Sequence, residues 1–360
     1  MTEHVLRRTA LAALAALGLT LASCNAGDDD NPKVVNFSIL STENSQNLEK
    51  EWAPFLADMS KQTGLTIKPY FASDYTALIE AMRFKQVQLG WFSNLSGLEA
   101  VRRGGGQVFA HSTDPTPGVV GYASVIIVNA NSNLTVDRLL KCDKSLTFGL
   151  GDARSTSGTL APMTYLFAPK NINPQTCFRT VRSANHQANL FSVANGVVDA
   201  ATNNTTAITM LQKSRPDIAA KVKVIWTSPR LPEDPVVWRK DLNPQIKEKL
   251  RSFFLSYGRA PGAEGNRQRK ILASLHFGKF EPADDSFLLP VREMEATEKL
   301  TEAKNAHKDA DIKAAEAELA KIQAEKIAAG AAGPQPATPQ TPVSTAPAST
   351  TPATPVSTKP

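Results

Sequence analysis

The chain has 360 residues, of which 40 are Lys or Arg and 34 are Asp or Glu, so its formal net charge is +6. This mild excess is spread along the chain without a dense basic cluster, which argues against a nucleic-acid partner. The sequence contains three cysteines and five histidines, and their spacing matches no usual metal site, so no metal and no cofactor are expected.

The N-terminus carries an export signal. Arg7 and Arg8 precede an apolar run over residues 11–21, which is too short to span a bilayer comfortably. The run ends in Leu-Ala-Ser followed by Cys24, a pattern that resembles the bacterial lipobox, in which the cysteine is lipidated after cleavage. The sequence therefore predicts an exported protein anchored to a bacterial membrane through a lipid on Cys24. An ordinary export signal with a chance cysteine is the alternative.

Strands and helices alternate through the first part of the core. Strands are predicted where β-branched and apolar residues cluster, and helices where apolar residues recur every three or four positions. In chain order these are strand 34–40, helix 48–63, strand 65–71, helix 75–85, strand 87–92, helix 96–103 and strand 107–111. This order is typical of an open, mostly parallel sheet.

A second series of elements follows. Its strands are 121–129, 145–150, 178–182, 197–201 and 222–227, and its helices are 159–167, 188–195 and 207–213. Strand 236–239 and helix 245–257 then indicate a return to the first series. The sequence predicts two α/β lobes joined by two crossover segments, which could close on a ligand by hinge motion.

A run of three hydroxyl residues, Ser155, Thr156 and Ser157, stands between strand 145–150 and helix 159–167. The first turn of a helix has unpaired N–H groups and a positive dipole end, which suit an oxyanion such as phosphate. A simple helix cap is the alternative. Ligands in open α/β sheets bind at the carboxyl ends of strands, where this run lies.

The remaining two cysteines, Cys142 and Cys177, form an even pair in an exported chain. Oxidation is permitted there, and a disulfide would contribute roughly 3–4 kcal/mol to the free energy of unfolding on the loop-entropy model.

Near the C-terminus, residues 293–329 are rich in Ala, Glu and Lys and lack Pro and Gly, so a helical segment is predicted. It would lie on the body of the protein or on a partner subunit, as in a homodimer. The Pro- and Thr-rich tail after it should be extended and mobile.

Several motifs in the core match a known family in the same order. They are Ser41-Thr42-Glu43, Ser73-Asp74-Tyr75, Trp91-Phe92-Ser93-Asn94, Ser155-Thr156-Ser157-Gly158, Thr202-Asn203-Asn204-Thr205 and Asp234-Pro235-Val236-Val237-Trp238. Together they resemble the phosphate/phosphite/phosphonate-binding proteins of ABC importers (the PhnD type) over roughly residues 34–292. The resemblance implies a bilobed type II periplasmic-binding-protein fold, an ABC permease as partner and no catalytic residues.

The resemblance also implies roles in binding the ligand. Ser155, Thr156 and Ser157 match the hydroxyl run that holds the phosphonate oxygens, and Tyr75 matches a tyrosine that donates to the same group from the other lobe. His186 falls near a histidine of the family that would also donate, although a solvent-exposed loop histidine is the alternative. Asp234 matches an acid that faces the ligand's ammonium in aminoalkylphosphonate binders; its alternative is a turn residue before a proline.

Two positions depart from the family pattern. Phe92 stands where the family often has a second phosphonate-binding tyrosine, and Thr206 stands where aminoalkylphosphonate binders carry a glutamate. A buried ligand cation without counter-charge is costly. The sequence therefore predicts methylphosphonate, phosphite or phosphate as the ligand rather than 2-aminoethylphosphonate.

The predicted domains are the signal peptide 1–23, the tether 24–33, a first lobe of 34–120 and 230–292, a second lobe of 121–229, the helical extension 293–330 and the tail 331–360.

Two other functions share features with the predicted binding protein. A ligand sensor for a membrane kinase would use the same two-lobed clamp. A hydrolase is disfavoured because no G-x-S-x-G elbow or clustered metal ligands occur.

Overall fold

The computed structural model describes Pro32 and residues 34–330. The predicted signal peptide, the lipid site at Cys24, nearly all of the predicted tether and the tail of residues 331–360 lie outside the described residues.

Strands and helices alternate along the described chain. The strands are β1 (Val34–Ser38), β2 (Thr66–Tyr70), β3 (Leu89–Trp91), β4 (Gly106–Ser112), β5 (Tyr122–Asn129), β6 (Thr147–Leu150), β7 (Thr180–Ser183), β8 (Ala200–Asn204), β9 (Val222–Leu231), β10 (Pro235–Arg239) and β11 (Phe280–Pro282). The α-helices are α1 (Ser45–Thr63), α2 (Tyr75–Arg83), α3 (Asn94–Arg103), α4 (Val136–Leu139), α5 (Pro174–Cys177), α6 (His186–Ala194), α7 (Thr205–Ser214), α8 (Pro216–Ala219), α9 (Pro244–Ser256), α10 (Gly262–Ser274), α11 (Leu289–Asn305) and α12 (Asp309–Ala328).

The strands form two separate mixed sheets. The first has the order β11-β4-β10-β3-β1-β2, and the second has the order β7-β6-β8-β5-β9. In the first sheet β1 runs parallel to β2 and β3, whereas β10 lies antiparallel between β3 and β4. In the second sheet β6 runs parallel to β7 and β8, whereas β5 is antiparallel to β8 and β9. The two-lobed α/β prediction is therefore confirmed, although neither sheet is mostly parallel.

Each sheet has its own apolar core. In the first, the amphipathic helix α1 begins at the Asn44 cap and buries Trp52 and Phe55, and Trp52 packs on Phe37 of β1 with ring centroids 5.4 Å apart. In the second, Phe148 of β6 stacks on Phe178 at 4.4 Å. Cys142 and Cys177 form a disulfide at the edge of this second core.

The two connections between the sheets lie side by side. The chain enters the second sheet at Tyr122 and leaves it at Leu231, and these two residues are register partners in β5 and β9. Gly121 precedes this point with φ +68°, and a Cβ there would meet the Leu231 carbonyl oxygen at 2.1 Å. Only glycine fits such a close, left-handed approach. The adjacent crossovers are the natural pivot for motion of one lobe against the other.

The C-terminal segment is helical, as its composition predicted, and the structure adds a turn within it. It forms two helices, α11 and α12, with a turn at residues 306–308 in which His307 adopts a φ of 53°. The helices pack as a hairpin, because Lys326 pairs with Glu293 at 2.8 Å and Arg292 pairs with Glu318 at 2.9 Å. The turn contains neither Gly nor Pro, so composition alone did not locate it.

Helix α11 lies against the body of the protein and touches both lobes. Arg102 of α3 pairs with Glu295 at 2.8 Å on the side of the first sheet. On the side of the second sheet, Asn305 Nδ2 donates to the Ala168 carbonyl oxygen at 3.0 Å. The helix therefore bridges the two lobes in addition to the crossovers.

Candidate functional site

The hydroxyl run begins a helical segment directly after β6. The segment starts with wide turns over Thr156–Leu160 and Met163–Phe167, three residues earlier than the predicted helix. Ser155 caps it, because its Oγ accepts from the Gly158 N–H at 2.9 Å. The N–H groups of Thr156 and Ser157 in the first turn have no helical acceptor. Since all three hydroxyl residues are buried, a ligand that binds to them would be removed from solvent.

Two glycines let the loop before this helix close tightly. The Gly151 N–H donates to the Gly158 carbonyl oxygen at 3.0 Å. A Cβ on Gly151 would lie 2.4 Å from the Gly158 Cα, so any side chain there would force the loop apart. The hydroxyl run is therefore held in a narrow turn at the carboxyl end of β6.

Each hydroxyl of the run accepts a hydrogen bond from an N–H group. Besides the bond to Ser155, Thr156 Oγ1 accepts from the Leu95 N–H at 2.8 Å, and Ser157 Oγ accepts from Asn204 Nδ2 at 3.3 Å. A hydroxyl that accepts in this way keeps its own O–H to donate. The run thus presents O–H and backbone N–H donors, which is the chemistry that an oxyanion needs.

The first lobe contributes a second helix start to the same place. Ser93 caps α3, and its Oγ also contacts the Arg154 carbonyl oxygen at 3.2 Å. Together with the bond from Leu95 to Thr156, this brings the N-terminus of α3 against the hydroxyl run. Two positive dipole ends therefore meet at the junction of the lobes, and both favour a negative ligand.

Two buried tyrosines complete the set of donors. The Tyr75 hydroxyl interacts with Ser155, and the Tyr122 hydroxyl interacts with Ser157 and with Asp234. Burial, followed by nearby carboxylates, raises the pKa of both tyrosines well above the usual value, so both remain neutral O–H donors at neutral pH. Tyr122 was missed by the sequence reasoning, although its place after Gly121 at the lobe crossover was a usable signal.

The two positions that depart from the family pattern lie in different settings. Phe92 is fully buried in the apolar cluster that also contains Tyr75 and Tyr122. Thr206 lies in the first turn of α7 and is partly buried. No hydrogen bond among the described residues joins Thr206 to the hydroxyl run.

His186 is buried, so the alternative of a solvent-exposed loop histidine is wrong. It begins α6 with 5% of its surface exposed, and its Nδ1 has no partner within the described part of the chain. Burial lowers the pKa of His186 to about 4. The ring is therefore neutral at neutral pH and could give an oxyanion one N–H but no positive charge.

Asp234 and its neighbour Glu233 form an acidic pair beside Tyr122. Burial and then the charge of Glu233 raise the pKa of Asp234 well above its usual value. Burial and then the charge of Asp114 raise the pKa of Glu233 to about 7. Glu233 was also missed by the sequence reasoning; its position between Pro232 and Asp234, just before a returning strand, was the available signal.

Within residues 34–330, no group of His, Cys, Asp and Glu side chains is arranged to hold a metal ion. None of the helices in this range is both long and apolar enough to cross a membrane.

Comparison with protein families gives a match over residues 37–288 to the family described as "ABC transporter, phosphonate, periplasmic substrate-binding protein". Among curated proteins, the "Phosphonates-binding periplasmic protein" of Escherichia coli (strain K12) is 41% identical over 295 residues, which cover 82% of this chain and 85% of that protein.

Solved structures of similar proteins share the fold. A binding protein component of an ABC phosphonate transporter from Pseudomonas aeruginosa is 42% identical with a TM-score of 0.79, and the match covers 82% of this chain and 99% of that one. PhnD1 from Prochlorococcus marinus, solved in complex with methylphosphonate, is 24% identical with a TM-score of 0.64, covering 73% of this chain and 97% of that one. The two mixed sheets thus form the type II periplasmic-binding-protein fold that the sequence predicted.

Proposed function

Because the chain belongs to the family of periplasmic substrate-binding proteins of phosphonate ABC transporters, we propose that it captures a phosphonate or related phosphorus oxyanion between its lobes and delivers it to a membrane permease. The family consists of binding proteins, so the chain is not an enzyme. The observation that supports this ligand class is the set of buried donors around Ser155, Thr156 and Ser157, with Tyr75 opposite. Each of these groups offers a proton without carrying charge, and two helix starts supply the positive field.

In this proposal His186 adds a neutral N–H donor. Phe92 adds an apolar surface that excludes water and has no donor. Asp234 faces the substituent on phosphorus, and Thr206 stands at the same end without charge. Because Thr206 leaves the ligand's ammonium without the second carboxylate of aminoalkylphosphonate binders, methylphosphonate, phosphite or phosphate is favoured over 2-aminoethylphosphonate.

Anchoring through a lipid on Cys24 and a homodimer formed by the C-terminal helices also remain predictions. An export signal and an acylated Cys24 would anchor the protein to a bacterial membrane, facing the periplasm or the cell exterior, where it could meet its permease. Mass spectrometry of the protein from its native host would detect the acyl chains.

Calorimetry with the mature chain tests the ligand class. We expect binding of at least one ligand among phosphonates, phosphite and phosphate, and no comparable binding of an uncharged alcohol of similar size. Ser157→Ala should weaken the affinity for the phosphorus oxyanion roughly tenfold or more, because it removes a buried donor to a charged group. Ser252→Ala, on the exposed face of α9, should leave this affinity unchanged. Absence of binding to every phosphorus oxyanion would contradict the proposal. Ligand uptake by a deletion strain separates import from sensing.

A further inference from the structure

The loop that carries the hydroxyl run also contains a carboxylate, Asp152, whose two oxygens bind in different directions. Its Oδ1 accepts from the Arg154 N–H at 2.7 Å, a bond within the loop itself. Its Oδ2 accepts from the Tyr75 N–H at 3.1 Å, and this donor lies 77 positions earlier in the sequence, in the other lobe. Each carboxylate oxygen therefore has its own donor, and the second donor belongs to a residue of the proposed ligand site.

The bond to Tyr75 completes the cap of a helix in the first lobe. Tyr75 is the first residue of α2, so its N–H is one of the donors that the helix leaves without an internal acceptor. Asp74 caps α2 from within the first lobe, but the backbone donor that it binds is the Ala77 N–H, at 2.8 Å. The Tyr75 N–H is left to Asp152, so this part of the cap exists only while the lobes are together.

The same segment of the second lobe caps a second helix of the first lobe. Thr156 Oγ1 accepts from the Leu95 N–H, in the first turn of α3. The backbone of Asp152 also shapes this segment, because its carbonyl oxygen accepts from the Ser155 N–H at 2.9 Å and from Thr159 Oγ1 at 2.8 Å. Asp152 and the hydroxyl run are therefore parts of one turn, which meets two helix starts of the opposite lobe.

The second lobe holds Tyr75 at both ends. Asp152 binds its N–H, and its hydroxyl interacts with Ser155. The position of the hydroxyl depends on where α2 begins, since a shift of the first residue of the helix moves the whole side chain. Donors in a binding site need such a supporting contact to stay in the productive geometry.

The charge of Asp152 acts against an anionic ligand. After burial, the negative charge of Asp152 is the main cause that raises the pKa of Tyr75, so it is felt at the tyrosine hydroxyl. This hydroxyl is proposed to donate to the phosphorus oxyanion, and like charges repel. Asp152 can aid binding only if its geometric contribution exceeds this repulsion. The two effects therefore predict opposite results when the charge is removed.

We propose that Asp152 is a positioning residue that acts through Tyr75: by capping α2 from the opposite lobe, it sets the place of the Tyr75 hydroxyl when the lobes close. This inference rests on the proposed function and adds to it a residue that acts on the ligand through another side chain. Asp152 thereby couples closure of the lobes to assembly of the donors.

The variant Asp152→Asn separates the two bonds. The single amide oxygen can still accept from the Arg154 N–H, whereas the amide nitrogen would then face the Tyr75 N–H, donor against donor. Calorimetry with methylphosphonate, phosphate and 2-aminoethylphosphonate is run in about 0.5 M salt, which weakens charge effects. For each ligand that the wild type binds, we expect Asp152→Asn to raise the Kd roughly tenfold.

The matched control is Asp143→Asn. Asp143 is an exposed residue of the same lobe, and it also accepts from an N–H two positions later, that of Ser145 at 3.0 Å. Its substitution should leave the Kd unchanged. Tighter or unchanged binding by Asp152→Asn would overturn the proposal, because it would show that charge repulsion outweighs positioning.

A double-mutant cycle with Tyr75→Phe tests whether Asp152 acts through the tyrosine. Tyr75→Phe keeps the backbone N–H and removes the hydroxyl, so in that background Asp152→Asn should change the Kd by no more than about twofold. A merely structural role of Asp152 would weaken binding equally in both backgrounds, and this result would also overturn the proposal.

The outcomes separate this inference from the proposed function. An overturned role for Asp152 leaves phosphonate binding by the wild type intact, whereas a wild type that binds none of the three ligands loses both. The melting transition without ligand reports whether each variant is folded. If Asp152→Asn lacks it, Asp152→Ser replaces that variant, because a serine hydroxyl can still accept within the loop but is too short to reach Tyr75. The same rise in Kd and the same cycle are then expected.

Discussion

The backbone N–H of Leu95 donates to the side-chain oxygen of Thr156 at 2.8 Å, and this bond joins the two lobes inside the candidate site. Thr156→Val keeps the shape of the side chain and removes both the acceptor for the Leu95 N–H and the O–H that is proposed to donate to the ligand. A buried N–H left without a partner costs about 1–3 kcal/mol, and this cost falls on the closed form that binds ligand. We expect the Kd for every phosphorus oxyanion to rise by roughly 10- to 100-fold in calorimetry.

Thr176→Val is the matched control, because Thr176 is exposed and its hydroxyl bonds only within its own short helix, to the Asn173 carbonyl oxygen. It should leave the Kd unchanged. A Thr156→Val protein with wild-type affinity would show that this contact does not contribute to closure.

A second contact between the lobes lies at the rim. Gln187 of α6 accepts from Asn44 Nδ2 at 2.9 Å and donates to Glu43 Oε2 at 2.8 Å. Gln187→Ala removes both bonds, each worth about 0.5–1.5 kcal/mol before solvent competes for the exposed groups. Opening should become easier, so stopped-flow measurements should show ligand dissociation accelerated by a few-fold with little change in association. Gln175 is an exposed glutamine of α5, and Gln175→Ala should match the wild type. Slower association in Gln187→Ala would indicate instead that Gln187 acts in the initial encounter with the ligand.

If a ligand carries an ammonium that lies beside the acidic pair, its affinity should depend on pH through Glu233. Burial raises the pKa of Glu233 to about 7 in the free protein, and a bound cation would lower it again, so binding releases a proton. The affinity for 2-aminoethylphosphonate should therefore rise as the pH increases from about 6 to 8 and fall below that range. The same titration on Glu233→Gln controls for ionisation of the ligand itself. Parallel pH profiles for the two proteins would contradict the linkage.

The disulfide should affect stability without affecting the site. Cys142 and Cys177 are separated by 35 residues, and closing a loop of that size is worth about 3–4 kcal/mol on the loop-entropy model. Replacing both cysteines with serine should lower the free energy of unfolding by about that amount in urea titrations. Ligand Kd at a temperature where the variant is folded should stay the same, because neither cysteine belongs to the proposed set of donors. A large loss of affinity in the folded variant would mean that the bridge also positions the hydroxyl run.

The sequence predicted most of the elements, and it identified the hydroxyl run of the candidate site. Apolar periodicity and the Asn44 cap located α1, and the hydroxyl run was found because it follows the parallel strand β6. Tyr122 and Glu233 do not follow the carboxyl end of a parallel strand, where ligand-binding residues are expected in an open α/β sheet. Strands β5 and β10 are antiparallel to their neighbours, so their beginnings lie where the parallel strands end: Ser124 pairs with Asn204, and Val236 with Trp91. Strand direction is a long-range property that local patterns do not contain.

The bridging position of α11 sets how the molecule can move. The helix is fixed to α3 through Glu295 and to the second lobe through Asn305, and its buried residues Val291 and Met294 share one apolar cluster with Leu160. A motion that separated the lobes at α11 would break these contacts, whereas a rotation of the lobes about the axis of α11 would preserve them. The crossover residues Tyr122 and Leu231 belong to the same cluster. We therefore expect the lobes to rotate about an axis that runs beside α11 and the crossovers, so that the cleft opens on the side of Gln187 and the ligand enters and leaves there.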